Sequence, residues 1–216
     1  MKSHRVPFRH HFFLDINFVI RMLILSDVIW GGAVGLLGPI FAIFIVDFIQ
    51  GGDATVAGVA MAIYLVVKSI MQIPAASIID KIRGEKDDFW ILFVGSLLGA
   101  LVPLFYLIIH TPLQLYLVQA LYGLVIALTF PSYMAIYTRH IDKEKEATSW
   151  GVYYTLSDFS AAVAASVGGV IADVVGFPPL IVGVVFFSIL GVLLIALIRP
   201  YMRMPKTSGA KRKSAA

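Results

Sequence analysis

Six long apolar runs separated by short polar gaps organise this sequence. The runs cover residues 17–48, 54–79, 89–109, 113–138, 147–172 and 177–198. Each has the roughly 20 residues that a helix rising about 1.5 Å per residue needs to cross a bilayer. The pattern predicts an all-α membrane protein with a basic segment at 1–16, a six-helix bundle at 17–199 and a basic tail at 200–216, which we expect to be disordered.

The cations of the chain fall in alternating gaps. The chain has 17 Lys and Arg residues, and 16 of them lie before or at the start of the first run, in the second and fourth gaps, or after the sixth run. The exception is Lys68, which lies within the second run. Short loops rich in Lys and Arg stay in the cytoplasm. Both termini are therefore predicted to be cytoplasmic, in a multi-pass protein of the inner or plasma membrane.

Composition narrows the class further. Hydrophobic residues make up 59% of the chain and charged residues 14%, whereas a soluble domain has about 25% charged residues. The net charge of +4 follows topology, so the expected partner is the lipid bilayer and not nucleic acid. The chain has no cysteine, which excludes disulfides and thiolate metal sites.

The sequence lacks the common catalytic patterns. It contains no His-Glu-x-x-His, no Gly-x-Ser-x-Gly and no P-loop. The five histidines do not have metal-ligand spacing, and His10-His11 is only a weak metal signal. We therefore predict that the chain is not an enzyme and needs no cofactor or metal.

An internal similarity relates the two halves of the chain. Gly58-Val59 precedes Asp80 in the second run as Gly151-Val152 precedes Asp173 in the fifth, with 22 residues from glycine to aspartate in both. Residues 17–110 and 113–199 then form two three-helix repeats. Because three is odd, the second repeat crosses the membrane in the opposite sense, as in many secondary transporters.

One motif carries a family resemblance. The second run ends in Ala76-x-x-x-Asp80-Lys81-x-Arg83-Gly84. This resembles the Gly-x-x-x-Asp-Arg-x-Gly-Arg-Arg signature of the major facilitator superfamily (MFS), with alanine for the first glycine and lysine for the first arginine. Helix order, loop lengths and loop charges over 17–199 are similar to one six-helix half of such a transporter.

The resemblance implies alternating access by a half-size transporter. Family members normally have twelve helices in two similar halves, with the solute bound between the halves. We therefore expect this chain to move a small solute after pairing with a second copy or with another six-helix half. The alternatives are one half of a split heterodimeric transporter, a non-transporting accessory subunit, and a degenerate half-transporter fragment.

Three ionisable residues are predicted at membrane depth, where each needs a partner or a water-filled cavity. Asp27 is the candidate for ion coupling, because a carboxylate against an apolar wall suits proton exchange; a purely structural bond to a neighbouring hydroxyl or to Arg21 is the alternative. Lys68 and Asp158 have opposite charges at similar depth. In the resembled fold, helix two of one half packs on helix five of the other, so a dimer would pair these two residues across protomers. An intrachain pair or no pair is the alternative.

Asp80 belongs to the cytoplasmic motif of Asp80, Lys81, Arg83 and Gly84. In the resembled family, this acid meets the N-terminus of a helix in the other half, so we expect it to latch the outward-facing state. Pairing with Lys81 or Arg139 is the alternative.

Polar and aromatic side chains at helical spacing predict a cavity wall. The fourth helix presents Gln119, Tyr122, Thr129 and Tyr133 on one side. Many MFS members have arginine where this chain has Gln119, and glutamine cannot supply the cation often linked to proton movement there. Trp30 and Tyr64 complete the set of cavity-lining candidates, and ordinary helix packing is the alternative.

Overall fold

The computed structural model of the chain describes residues 16–81 and 84–202. Its α-helices are α1 Phe18–Leu37, α2 Phe41–Phe48, α3 Ala54–Lys81, α4 Glu85–Leu101, α5 Pro112–His140, α6 Glu146–Val175 and α7 Phe177–Ala196. No strand occurs among the described residues. Arg83 and most of the two predicted terminal segments lie outside them.

Six stretches of the described chain are long and apolar enough to cross a membrane. They are Phe18–Phe48, Ala54–Lys81, Glu85–Leu107, Pro112–His140, Glu146–Val175 and Phe177–Tyr201. The predicted all-α bundle with six spans is therefore confirmed. The third span begins four residues before the predicted run, because Glu85, Asp87 and Asp88 form the first turn of α4, where carboxylates are favoured by the helix dipole.

Proline interrupts two of the spans. The sequence pattern predicts a continuous first helix, but the structure has a 3₁₀ turn at Gly38–Ile40 between α1 and α2. Pro39 causes this break, because its ring has no N–H to donate and clashes with the preceding turn. Pro103 likewise lies in the 3₁₀ segment Val102–Leu107 that ends the third span.

Polar caps fix where several helices start. The Asn17 side chain accepts a hydrogen bond from the backbone N–H of Val19 at the start of α1. Thr111 and Gln114 form a capping box at the start of α5, with Pro112 in the first turn. These contacts satisfy N–H groups that the helix itself leaves unpaired.

Both ends of the described chain lie at one end of the bundle. The rings of Phe18 and Tyr201 are 4.9 Å apart, and Arg139 at the end of α5 pairs with Asp88 at the start of α4. We call this the basic end. At the opposite end, the Gln50 backbone N–H donates to the His110 carbonyl over 2.8 Å. That the basic end faces the cytoplasm stays a prediction.

Helices α1 and α5 are central in the bundle, and helices α3 and α6 are peripheral. α1 packs on α6 and α7, α5 packs on α3 and α4, and α4 contacts α7. Exchanging the first three spans with the last three leaves this pairing scheme unchanged, as an inverted repeat requires; the repeat itself stays a prediction. In α3 and α6 only 11% of the most apolar stretch is buried, against 44% in the sixth span, so these two helices have the most unpartnered surface.

Glycine allows the peripheral helices to approach the central ones closely. A Cβ at Gly168 of α6 would lie 2.7 Å from the Leu36 carbonyl carbon of α1. A Cβ at Gly123 of α5 would lie 2.6 Å from the Tyr64 carbonyl oxygen of α3. Small residues at such contacts let helix backbones pack tightly in a membrane.

Gly168→Ala is expected to lower the stability of the bundle by about 1–3 kcal/mol, because the added methyl overpacks the contact with Leu36. Gly169→Ala is the matched control, since no described atom outside its own stretch of helix lies within 4 Å of its built Cβ and alanine is the better helix former. Thermal unfolding of the purified variants in detergent measures both. Equal midpoints for the two variants would contradict the close α1–α6 contact.

Candidate functional site

A cavity of about 300 Å³ lies among α1, α2, α3, α5, α7 and the 3₁₀ segment after α4. Its aromatic and polar lining residues are Trp30, Phe41, Tyr64, Tyr106, Gln119 and Tyr122. None of the described residues that line it is charged. The size lies at the lower end of the range for small-molecule pockets, which are mostly apolar with a few placed polar groups.

Hydrogen bonds between neutral groups and contacts between aromatic rings connect the residues in the wall of this cavity, which we call the larger cavity. Gln119 Nε2 donates to the hydroxyl of Tyr106 over 3.3 Å in the buried wall. The rings of Tyr64 and Tyr122 stack with centroids 5.4 Å apart, and Phe41 contacts the Tyr106 ring at 5.2 Å. The wall therefore offers aromatic faces and hydroxyl groups rather than charge.

A second, smaller cavity of about 80 Å³ lies nearer the basic end. Its polar lining residues are Ser26, Asp27, Ser96, Thr129, Tyr133 and Tyr153. Trp30 borders both cavities. The polar residues of the fourth span are thus divided: Gln119 and Tyr122 line the larger cavity, and Thr129 and Tyr133 line the smaller one.

Asp27 is tied to α6 by hydroxyl groups. Ser157 Oγ donates to Asp27 Oδ2 over 3.2 Å, and the Tyr153 side chain lines the same cavity as this carboxylate. One turn further along, Ser160 Oγ donates to the Val28 carbonyl over 2.8 Å. The carboxylate therefore makes the bond to a neighbouring hydroxyl that a purely structural role would require. It also borders a cavity, as a role in ion coupling would require. Its role in ion coupling stays a prediction.

Lys68 and Asp158 do not pair with each other within the described chain. The Lys68 ammonium lies over two rings, with Nζ 5.5 Å from the Phe130 centroid and 5.9 Å from that of Tyr64. Asp158 is exposed on α6. Counted along their helices, both residues are about 18–20 Å from the basic end at about 1.5 Å per residue. The two residues are thus at similar distances along their helices, and both their equal depth in the membrane and their pairing across protomers stay predictions.

The cytoplasmic motif lies at the exposed end of α3. Asp80 and Lys81 are exposed, and Asp80 makes no ion pair within the described chain. It borders a groove beside Met134 and Thr138 of α5. Gly84 precedes α4 with φ +138°, a conformation that favours glycine. The latch role of Asp80 stays a prediction.

Two polar contacts at the basic end were not predicted from the sequence. Asp88 pairs with Arg139, which is therefore not engaged by Asp80. His140 Nε2 lies 3.7 Å from Glu85 Oε2. The signal was present, because Glu85 and Asp88 share one face of the first turn of α4 and the two basic residues are adjacent at the end of α5.

Ser157 was also missed, although it stands next to Asp158 and four residues after Tyr153. Its importance depends on which face of α6 meets α1, and the sequence gives no signal for that. Among the described residues, no group of three His, Asp or Glu side chains could hold a metal ion.

Comparison with known proteins identifies the family. The Major Facilitator Superfamily profile matches residues 23–216, so the chain belongs to this superfamily of membrane transporters. It is also similar to the "Proton-coupled antiporter flippase LtaA" of Staphylococcus saprophyticus, with 28% identity over 99 residues. The matched segment is 45% of this chain and 24% of that relative. No solved structure matches.

The Asp27–Ser157 bond predicts coupled stabilities. Asp27→Ala and Ser157→Ala are each expected to destabilise the bundle, and the double variant is expected to lose about 1 kcal/mol less than the sum, since either change alone removes the bond. Ser166→Ala is the control, because Ser166 is exposed and bonds only the Ala162 carbonyl of its own helix. Chemical or thermal unfolding of the four proteins measures the coupling. Additive losses would contradict the bond.

Proposed function

We propose that this chain is a secondary transporter of a small solute that works by alternating access as one of two six-helix halves. The proposal is supported mainly by the larger cavity, which lies within a helix bundle that belongs to the MFS. Met61 and Tyr64 of α3 form part of its wall, and α3 is one of the two helices with the most uncovered surface. A second bundle against α3 and α6 would close the cavity on that side.

The uncovered faces have the residues of a helix interface. On α6, Gly151, Thr155, Asp158 and Ala162 are exposed at spacings of three or four residues, which places them on one face. Small residues of this kind favour helix contact in membranes. The exposed Phe159 and Val163 lie beside this face, and their apolar side chains suit lipid.

A second copy of the chain supplies the missing charges. An exposed carboxylate at membrane depth is costly unless it finds a partner or water, and Asp158 has no protein partner within the described chain. The partner's Lys68 would lie at matching depth on the helix that packs there in a two-fold dimer. We propose this homodimer, with another six-helix half as the alternative partner.

The lining of the larger cavity indicates which chemical class of solute would fit. Because its wall has aromatic rings and neutral polar groups and no charged side chain, it suits a small molecule with ring or apolar surface and hydroxyl or amide groups. Asp27, beside the cavity, is the proposed coupling residue. The relative named as a proton-coupled antiporter supports a proton as the coupling ion.

The basic end of the bundle is the end proposed to face the cytoplasm. Lys81, Arg139, Lys143, Lys145 and Arg199 lie at one end of the described bundle, which favours that end facing the cytoplasm. Asp80 at this end is then placed to latch the two halves in the outward-facing state. Its release would accompany opening toward the cytoplasm.

Transport is tested in proteoliposomes that contain a pH-sensitive dye. A panel of neutral and charged sugars, amino acids and aromatic amines is added outside, and at least one solute is expected to change the luminal pH. Asp27→Asn is expected to abolish the change, because an amide cannot exchange a proton, whereas Ser166→Ala retains it. A solute-dependent signal that survives in Asp27→Asn would refute the coupling role. No response to any solute by a protein that stays monomeric would favour the accessory subunit.

The dimer is tested by disulfide cross-linking, since the chain has no cysteine of its own. Differently tagged chains with Lys68→Cys and Asp158→Cys are co-expressed and oxidised in native membranes. A mixed dimer is expected, because the two positions are proposed to meet across the interface. Phe159→Cys in place of Asp158→Cys is the matched control on the neighbouring face and should give little product. Equal yields from both pairs would count against the proposed interface.

A further inference from the structure

Tyr133 has a buried hydroxyl with no partner among the described residues. The side chain is 8% exposed, lines the smaller cavity, and its hydroxyl makes no hydrogen bond to described protein groups. Trp30 Nε1 is buried and unpartnered in the same way, and the Trp30 indole borders both cavities. Two unpartnered polar atoms therefore belong to residues that surround one small space beside Asp27.

Polar atoms buried without a partner are costly and rare in native proteins. Where the site is roomy and polar, ordered water supplies the missing bonds. One water needs about 10–15 Å³ of cavity volume, and the smaller cavity has about 80 Å³. Ser96 and Thr129 add further oxygen atoms to its wall, so several waters there would each find more than one partner.

We propose that the smaller cavity is a binding site for a cluster of waters held by the Tyr133 hydroxyl and Trp30 Nε1, and that this cluster carries protons between Asp27 and the larger cavity. The proton-carrying part rests on the proposed function. In one direction an O–H bond of a hydronium breaks as an O–H bond forms on an Asp27 carboxylate oxygen. The reverse transfer returns the proton to water, so no other reactant is consumed.

The donor set favours neutral water over a metal cation. Indole Nε1 can only donate a hydrogen bond, so its hydrogen would oppose a bound cation but suits a water oxygen. Among the described residues, Asp27 is the single carboxylate of the wall. One carboxylate is a sparse ligand set for a metal ion, which must shed its hydration shell to bind.

Trp30 is well placed to separate the two cavities. Its ring packs against Gly99 of α4, where a built Cβ lies 3.5 Å from the indole. On the other side, a Cβ at Gly191 of α7 would lie 3.1 Å from Trp30 Cβ. These glycines let two helices approach the indole and hold it between the waters and the solute. Trp30 and Tyr133 are thus positioning residues for the proton path.

The sign of a stability change tests the water site. Tyr133→Phe removes only the hydroxyl. If waters bond it, the thermal unfolding midpoint is expected to fall by about 2–4 °C; if it has no partner, its loss leaves the midpoint unchanged or raises it, which would overturn the proposal. Ser188→Ala is the matched control, because Ser188 Oγ is also buried without a partner among the described residues but lines neither cavity. Its midpoint should not fall, and an equal fall in both variants would also overturn the proposal.

Proton movement in the proteoliposome assay tests the path. Tyr133→Phe is expected to slow solute-dependent proton movement roughly 10-fold or more, because the waters that carry the proton lose a group that positions them, while Ser188→Ala keeps the wild-type rate. If Asp27→Asn abolishes the signal and Tyr133→Phe leaves it unchanged, the water path is refuted and the proposed function stands. If Asp27→Asn leaves the signal intact, the coupling proposal and the path fail together, and the unfolding comparison still decides whether the waters are bound.

Discussion

Hydrocarbon offers no hydrogen-bond partner, so every polar group inside the membrane must be satisfied by the protein or by enclosed water. This constraint explains the main contacts between helices. The Asp27 carboxylate accepts a hydrogen bond from Ser157, and the Gln119 amide donates one to Tyr106. Each bond joins two segments that are far apart in sequence or separated by a turn. The polar residues that line the cavities are therefore also residues that hold the bundle together.

Close backbone contact complements these bonds. The α1–α6 and α3–α5 pairs meet at glycine, which brings hydroxyl groups of α6 within reach of α1 and places Lys68 beside Phe130 of α5. Since α1 and α5 take the centre, α3 and α6 are left on the outside with little covered surface. The same packing that encloses the two cavities thus exposes the faces proposed to meet a second bundle.

Much of the fold could be predicted because its signals are local. Long apolar runs and the polar gaps between them define six spans, and the motif around Asp80 indicates the family. The interruption at Pro39 was not predicted, because proline does not always end a helix: α3 continues through Pro74 and α5 through Pro131. For the candidate site, the sequence predicted which residues take part but not how they are arranged around the cavities. Sequence spacing grouped Gln119 with Tyr133 on one side of a helix, but Trp30 lies at the border of two cavities and divides them.

The sequence by itself determined the number of spans, their alternating direction and the superfamily, because hydropathy, loop charge and a short motif are read residue by residue. Only the tertiary structure decided that Ser157 meets Asp27 and that Lys68 lies over aromatic rings. The physical reason is that a membrane helix is apolar almost all round. Its sequence lacks the polar–apolar division that orients a helix in a soluble protein, so helix rotation is set by small residues and interhelical bonds that form only on packing.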